Sequence, residues 1–292
     1  MIKKAVIHLG AYKTGTTSLQ HHLRANAKTL SKAGVATIAR QPKLLPVSLS
    51  LKRKMLNEIR DLEDEWRTLL KMDNASADRL IFSDEDLMDR FRPERWECLY
   101  PNAQMTVRGI SQSLSETEAR FILTIRDYAD FLDSCYIQRL KMGMHYSAED
   151  FKSRLHITSF SWVDLVERVR DACHPFGLSV FQFDRHVNER IMHHIQDFLD
   201  LPPLEFKDTK TINDRYSDDA IMVAQIANRS LSSAGKKALR KFLQTHMKKK
   251  DTDRFTLFSQ HERAQLNEKF SADVSRISSM AGERLELIVP KQ

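Results

Sequence analysis

Short apolar runs alternate along the chain with longer amphipathic segments, and this pattern predicts strands that alternate with helices. The apolar runs predict strands near 5–8, 35–39, 79–83, 121–125 and 178–183. Apolar residues at helical spacing predict helices near 16–33, 51–71, 128–141, 148–155, 162–172, 189–199, 217–244 and 260–280. Such alternation is typical of an α/β fold, in which a mainly parallel central sheet is flanked by helices on both faces.

We predict one domain over residues 1–292, with a helical insertion at about 46–75 and a mainly helical C-terminal part at about 188–285. The helix at 51–71 has one apolar stripe over about two heptads, which is too short to indicate a coiled coil. We interpret it as packing on the domain, with a lid or a dimer contact as the alternative.

The loop after the first strand contains the most informative motif. Residues 8–20 read H-L-G-A-Y-K-T-G-T-T-S-L-Q. Gly10 and Gly15 have the spacing of the ATP-binding P-loop, but Thr16 occupies the position of its lysine, and Lys13 stands inside the loop. A loop of this kind presents backbone N–H groups and a helix N-terminus to an anion, usually a phosphate.

This string resembles the 5′-phosphosulfate loop of the sulfotransferases that use PAPS (3′-phosphoadenosine 5′-phosphosulfate), in particular the bacterial branch. The resemblance implies a P-loop-type nucleotide-binding fold and transfer of a sulfuryl group from PAPS. It also implies that Lys13 contacts the phosphosulfate and supports the departing 5′-phosphate. The residues that would cradle this phosphate with N–H and hydroxyl donors are Thr14, Gly15, Thr16, Thr17 and Ser18.

A second motif resembles the 3′-phosphate site of the same family. Arg126 directly follows the strand at 121–125, and Ser134 comes eight residues later in a predicted helix. A guanidinium offers a planar fork to phosphate oxygens, and charge-assisted bonds contribute roughly 1.5–3 kcal/mol each. The alternative is a plain surface pair of Arg126 with Asp127, beside a solvated Ser134. The loop motif on the neighbouring strand favours the nucleotide site.

A hydroxyl acceptor requires a general base, for which the sequence offers Glu85 and His8. Glu85 follows the third strand, but Ser83 and Asp86 could instead form a capping box around it. His8 ends the first strand, and we favour a neutral core histidine bonded to backbone. Some family members place a glutamate after the second strand, whereas residues 39–43 here read A-R-Q-P-K.

We therefore predict in-line transfer from PAPS to an acceptor hydroxyl or amine, with PAP as product. We expect no metal, because Lys13 and the loop supply the positive field and no Cys or His cluster has metal-ligand spacing. The runner-up is a P-loop kinase or NTPase that uses ATP and Mg²⁺, with Asp84 or Asp86 holding the metal. Only the positive charge of the chain would favour a nucleic-acid-binding protein, so we expect no nucleic-acid partner.

The charge is moderately positive, since 46 Lys and Arg oppose 39 Asp and Glu among 292 residues. A basic tract at 236–250 contains seven of these cations, and we interpret it as a solvated helix face. The alternative is a rim that steers PAPS or an acidic acceptor.

Three cysteines without metal-ligand spacing indicate free thiols in a reducing compartment. With neither a signal peptide nor a membrane span in the sequence, we expect a cytoplasmic protein. The acceptor could be a glycan, a lipid or a small-molecule hydroxyl, in a pocket formed by 40–50, 86–115 and 140–160. The oligomeric state is left open.

Overall fold

In the described residues, the fold is built around one six-stranded parallel sheet. The computed structural model describes residues 2–39, 77–89, 91–114, 116–205, 216–246 and 255–290. The strands are β1 (Lys4–His8), β2 (Val35–Ala39), β3 (Arg79–Ser83), β4 (Glu118–Ile125), β5 (Gly177–Gln182) and β6 (Leu285–Ile288). Their order is β2-β3-β1-β4-β5-β6, and every neighbouring pair is parallel. The α/β prediction is confirmed.

Helices surround this sheet. Those of its first half are α1 (Thr16–Ala25), α2 (Ala27–Lys32), α3 (Ala103–Ser113), α4 (Tyr128–Lys141), α5 (Ala148–Ser153), α6 (Trp162–Ala172) and α7 (Val187–Phe198). The C-terminal part adds α8 (Asp218–Ala227), α9 (Ser233–His246) and α10 (Gln260–Ser279). The predicted insertion at 46–75 and its helix at 51–71 lie outside the described residues.

The period of two in the strands divides the core between the two faces of the sheet. On β1, Ala5 and Ile7 join the larger apolar cluster, which contains residues of α3, α4, α6, α8 and α10. Val6 between them joins the smaller cluster, which contains residues of α1, α2 and α7. Both faces are covered, because buried parallel strands have apolar side chains in both directions.

The prediction of one continuous helix at 16–33 is wrong, because the helix is interrupted at Asn26, between α1 and α2. Asn26 Nδ2 donates to the carbonyls of His22 and Glu205, and its Oδ1 accepts from the Glu205 amide. An asparagine amide can take hydrogen bonds that a helix would otherwise make. Here it ties the helix break to a segment that is distant in sequence.

The helix predicted at 217–244 is also two helices, α8 and α9. The buried Asn228 ends α8 and donates to the carbonyls of Leu140 and Met144 at the end of α4. The basic tract begins on α9, where Lys237, Arg240 and Lys241 are exposed, as expected for a solvated face. Residues 247–250 of the tract lie outside the described part of the chain.

Two elements were missed by sequence reasoning. We predict no helix at 103–113, although Ala103, Val107 and Ile110 have helical spacing there and are buried in α3. We also predict no strand beyond 178–183, whereas β6 lies at Leu285–Ile288. It is four residues long and pairs with β5 at the edge of the sheet, so its identity depends on that pairing.

The sheet brings three predicted site segments to one edge. His8, the last residue of β1, lies opposite Ser83 of β3 on one side and Ile122 of β4 on the other. The loop after β1, the turn after β3 and Arg126 after β4 therefore all leave the carboxyl edge, where α/β sheets bind ligands.

Candidate active site

The loop between β1 and α1 depends on residues with left-handed backbone angles. Gly10, Lys13 and Gly15 have φ of 53°, 64° and 86°. A Cβ on Gly10 would lie 2.7 Å from Thr16 Oγ1, and one on Gly15 would lie 3.0 Å from Asn188 Nδ2. Both glycines are therefore required by conformation and by close contact.

The first turn of α1 offers donors that the helix does not use. Gly15 is the N-cap, and no side chain in the described part of the chain caps α1. The first backbone N–H groups of a helix have no partner within the helix. Thr16 Oγ1 is buried and also lacks a hydrogen-bond partner among the described residues. Such a cradle fits an anion such as a nucleotide phosphate.

The other hydroxyls predicted for this cradle differ from one another. Thr14 Oγ1 donates to the Ala11 carbonyl at 2.6 Å, so it stabilises the loop itself. Ser18 Oγ lies 3.5 Å from His22 Nε2, and the Thr17 residue is exposed.

Lys13 extends from the loop toward α4. Its Nζ lies 3.4 Å from Gln138 Oε1. Burial lowers the pKa of Lys13 and the charge of Arg126 lowers it further, whereas the charge of Glu85 opposes this. A buried ammonium with a second cation nearby favours the binding of an anion.

Arg126 reaches back to the same loop. Its Nη1 donates to the Lys13 carbonyl at 2.6 Å, and its guanidinium lies over the Phe183 ring at 4.5 Å. Its side chain is only 12% exposed, and Nη2 lies 3.7 Å from Asp130 Oδ2. The alternative of a solvated surface pair is wrong, because Asp127 caps α4 by accepting from the Asp130 amide.

Ser134 lies on α4 between the contacts of the two cations. Asp130, Ser134 and Gln138 are spaced by four residues and share one face of the helix. Asp130 contacts Arg126 at one end of this face, and Gln138 contacts Lys13 at the other. Ser134 is partly buried.

The two candidate bases lie in different environments. Glu85 is partly buried in the turn after β3, and its charge raises the pKa of Lys13. The capping-box alternative for Ser83 is wrong, because the described residues 84–89 form no helix and Ser83 Oγ lies 2.9 Å from His8 Nδ1. His8 is 1% exposed, and burial lowers its pKa to about 4. It is a neutral core histidine, but it is bonded to a hydroxyl instead of backbone.

A family model described as a sulfotransferase domain matches residues 5–208. The chain belongs to the sulfotransferase family. Neither a search of curated proteins nor a search of solved structures found a match. The sulfotransferase match includes the β1–α1 loop, Arg126 and Ser134, whereas α8, α9, α10 and β6 lie beyond it.

Sequence reasoning missed several residues that shape this candidate site. Tyr12 donates its hydroxyl to Asp86 and its amide to the Tyr100 hydroxyl, so it fastens the loop to the segment after β3. Asn188 Nδ2 donates to the Gly15 carbonyl, and Trp162 Nε1 donates to the Arg126 carbonyl. These contacts join segments that are distant in sequence, so no local sequence pattern predicts them.

An open groove of about 370 Å³ lies on the segment between β3 and α3. Arg92, Arg95 and Trp96 are among its lining residues. Trp96 also stacks on Tyr12 of the loop, with ring centroids 6.3 Å apart. The groove is therefore adjacent to the loop.

Among the described residues, no helix is long and apolar enough to span a membrane. No group of three or more His, Cys, Asp or Glu residues is placed to hold a metal ion within that same part of the chain.

Proposed function

We propose that this sulfotransferase moves a sulfuryl group from PAPS to an acceptor hydroxyl or amine and releases PAP. The observation that supports this most is the contact of Arg126 Nη1 with the Lys13 carbonyl. Because of it, cations that follow two different strands meet at one loop. PAPS has phosphate groups at both the 5′ and the 3′ position, so one molecule can engage both cations.

In this proposal the acceptor oxygen attacks the sulfur in line, and the bond from sulfur to the bridging oxygen breaks. The bridging oxygen leaves with the 5′-phosphate of PAP. Lys13, the first amides of α1, and the hydroxyls of Thr16, Thr17 and Ser18 stabilise the charge that develops there. Glu85 accepts the acceptor's proton, and Arg126 with Ser134 binds the 3′-phosphate. His8 is the less favoured base, because it is enclosed.

The groove beside the loop is our candidate for acceptor entry. It lies within the predicted acceptor region 86–115 and combines the guanidinium groups of Arg92 and Arg95 with Trp96. Charged and aromatic groups together suit a glycan, a lipid headgroup or a small hydroxyl compound.

We also propose a single domain, and a cytoplasmic protein of the bacterial type. Strand β6 pairs with β5, and one apolar cluster extends from Ile2 to Leu285, which supports a single unit. Cys98, Cys135 and Cys173 are free thiols, as is usual in a reducing compartment. The K-T-G-T-T-S-L string supports the bacterial branch.

Calorimetric titration of PAP and of ADP, each with and without Mg²⁺, tests this function. We expect PAP to bind more tightly than ADP and its affinity to be independent of Mg²⁺. Tighter ADP binding that requires Mg²⁺ would instead indicate a P-loop kinase or NTPase.

Variants then test the two cations separately. Arg126→Ala should weaken PAP binding by about 10- to 100-fold, because one charged partner of the 3′-phosphate is lost. It should leave binding of adenosine 5′-monophosphate (AMP) nearly unchanged, whereas Lys13→Ala should weaken both ligands. Arg108→Ala and Lys28→Ala are matched controls at exposed positions. Equal effects of Arg126→Ala on PAP and AMP would contradict its assignment to the 3′-phosphate.

A further inference from the structure

The helix α10 lies beyond the matched range 5–208, yet its Arg263 is joined to the site. Arg263 Nη1 donates to Asp133 Oδ2 and its Nη2 to Asp130 Oδ1, both at 2.7 Å. The other oxygen of Asp130 lies 3.7 Å from Arg126 Nη2. Asp130 is therefore a carboxylate between two guanidinium groups, one from α10 and one from the candidate 3′-phosphate site.

Asp130 is closer to Arg263 than to Arg126. Its contact with Arg263 is a charge-assisted hydrogen bond, whereas 3.7 Å to Arg126 is an ion pair at longer range. These side chains are only 12–26% exposed, so water screens their charges less than at an open surface. The one guanidinium of Arg263 thus holds the carboxylates of both Asp130 and Asp133.

Without Arg263, Asp130 and Asp133 lose the guanidinium that holds both of them. Arg126 Nη2, 3.7 Å from Asp130 Oδ2, remains close to that carboxylate. Asp133 is the more enclosed of the two, with a side chain that is 9% exposed. A carboxylate that has lost its partner in such surroundings draws the nearest cation. Arg126 would then be engaged by Asp130, and an incoming phosphate would have to displace that carboxylate.

We propose that Arg263 is a positioning residue of the nucleotide site, which holds Asp130 so that Arg126 stays available to the 3′-phosphate. This inference rests on the proposed function. The start of α10 is firmly placed for this role, since Ser259 and Glu262 form a capping box and Glu262 pairs with Lys152 of α5. The helix dipole disfavours a cation such as Arg263 in the first turn of α10. The bonds to Asp130 and Asp133 offset this unfavourable interaction.

The first test is calorimetric titration of Arg263→Ala with PAP and with AMP, which lacks the 3′-phosphate. We expect PAP affinity to fall by about tenfold or more and AMP affinity to stay within about twofold. Arg276→Ala is the matched control, because it removes an exposed arginine from the same helix. Equal losses for PAP and AMP, or no loss for PAP, would overturn the inference.

The second test is Asp130→Asn, alone and combined with Arg263→Ala. Because Arg126 loses its internal anion, Asp130→Asn alone should tighten PAP binding by about threefold or more. In the double variant it should restore most of the affinity that Arg263→Ala removes. A purely structural role predicts weaker PAP binding in Asp130→Asn and a further loss in the double variant.

The single Asp130→Asn variant decides the question even if Arg263→Ala fails to fold. If the wild-type protein binds PAP while these variants behave like the control, only the role of Arg263 is lost. If the wild-type protein does not bind PAP, the proposed function itself is overturned.

Discussion

At the scale of single residues, Arg126 is held on several sides before any ligand binds. Its guanidinium contacts the Lys13 carbonyl and the Phe183 ring, and its own carbonyl accepts from the Trp162 indole. A side chain fixed in this way loses little conformational freedom when it meets a phosphate. The candidate site is thus preorganised for the anion that we propose, and the arrangement combines three distant parts of the chain.

His8 allows a prediction about pH at the same scale. Its pKa is about 4 in the folded protein because of burial, against an ordinary value near 6.5. Between these values the unfolded chain binds a proton that the folded protein does not, so stability falls as pH falls from about 6.5 to 4. The whole shift of the His8 pKa, from 6.5 to about 4, corresponds to a loss of about 3 kcal/mol in the free energy of unfolding.

Chemical denaturation of the wild-type protein and of His8→Gln at pH 7.5 and 4.5 measures this effect. The stability advantage of the wild-type protein should shrink at the lower pH. Thr29→Ala, at an exposed position without a titratable group, is the control, and its difference from the wild-type protein should not depend on pH. An advantage of His8 that is independent of pH would mean that it takes up a proton in the fold as readily as in the unfolded chain.

At the scale of elements, the β1–α1 loop is fixed from three directions. Its glycines turn the backbone, Tyr12 fastens it to the segment after β3, and Asn188 of α7 holds the Gly15 carbonyl. Such a loop can present its amides to a ligand in a constant geometry, which electrostatic stabilisation requires.

Gly15→Ala and Gly34→Ala form a matched pair for this loop. Both glycines have positive φ, so each alanine costs about 1 kcal/mol in backbone conformation. Only at Gly15 does the new Cβ press on Asn188, at 3.0 Å, whereas the nearest atom at Gly34 is 3.5 Å away. We expect Gly15→Ala to lose about 1 kcal/mol more than Gly34→Ala.

PAP titration completes this comparison. Gly15→Ala should weaken PAP binding, while Gly34→Ala should leave it unchanged. Equal stability and equal PAP affinity in the two variants would show that Asn188 does not constrain the loop.

The elements also differ in how well the sequence predicted them. The strand at 79–83 was predicted at its observed bounds, because buried parallel strands are continuous apolar runs. The helices at 16–33 and 217–244 were predicted too long, because Asn26 and Asn228 bond to distant backbone. Apolar periodicity continued across both breaks, so local pattern could not reveal them.

At the scale of the whole molecule, helix α10, which follows the matched residues 5–208, contacts residues that position the candidate site. Asp273 of α10 accepts from the Tyr128 hydroxyl at 2.5 Å and from the Trp162 amide at 2.9 Å. The Trp162 indole in turn holds the Arg126 carbonyl. Helix α10 therefore supports both the backbone and the side chain of Arg126.

Asp273→Ala should lower the free energy of unfolding by about 1–3 kcal/mol, because the buried Tyr128 hydroxyl loses its acceptor. PAP affinity should fall as well, since Trp162 positions Arg126. Chemical denaturation and PAP titration measure the two effects. Glu268→Ala removes an exposed carboxylate from the same helix and should change neither quantity. If Asp273→Ala lowers stability but leaves PAP affinity unchanged, α10 does not contribute to nucleotide binding.

The sequence by itself determined the alternation of strands and helices, the sulfotransferase family and the loop at 10–18. These are local properties, because apolar runs, the spacing of the glycines and the position of Lys13 each depend on residues that are close in sequence. Only the tertiary structure decided that Arg126 meets the Lys13 carbonyl and that Arg263 holds Asp130. Such contacts arise when the sheet and helices bring distant residues together, so no sequence period encodes them.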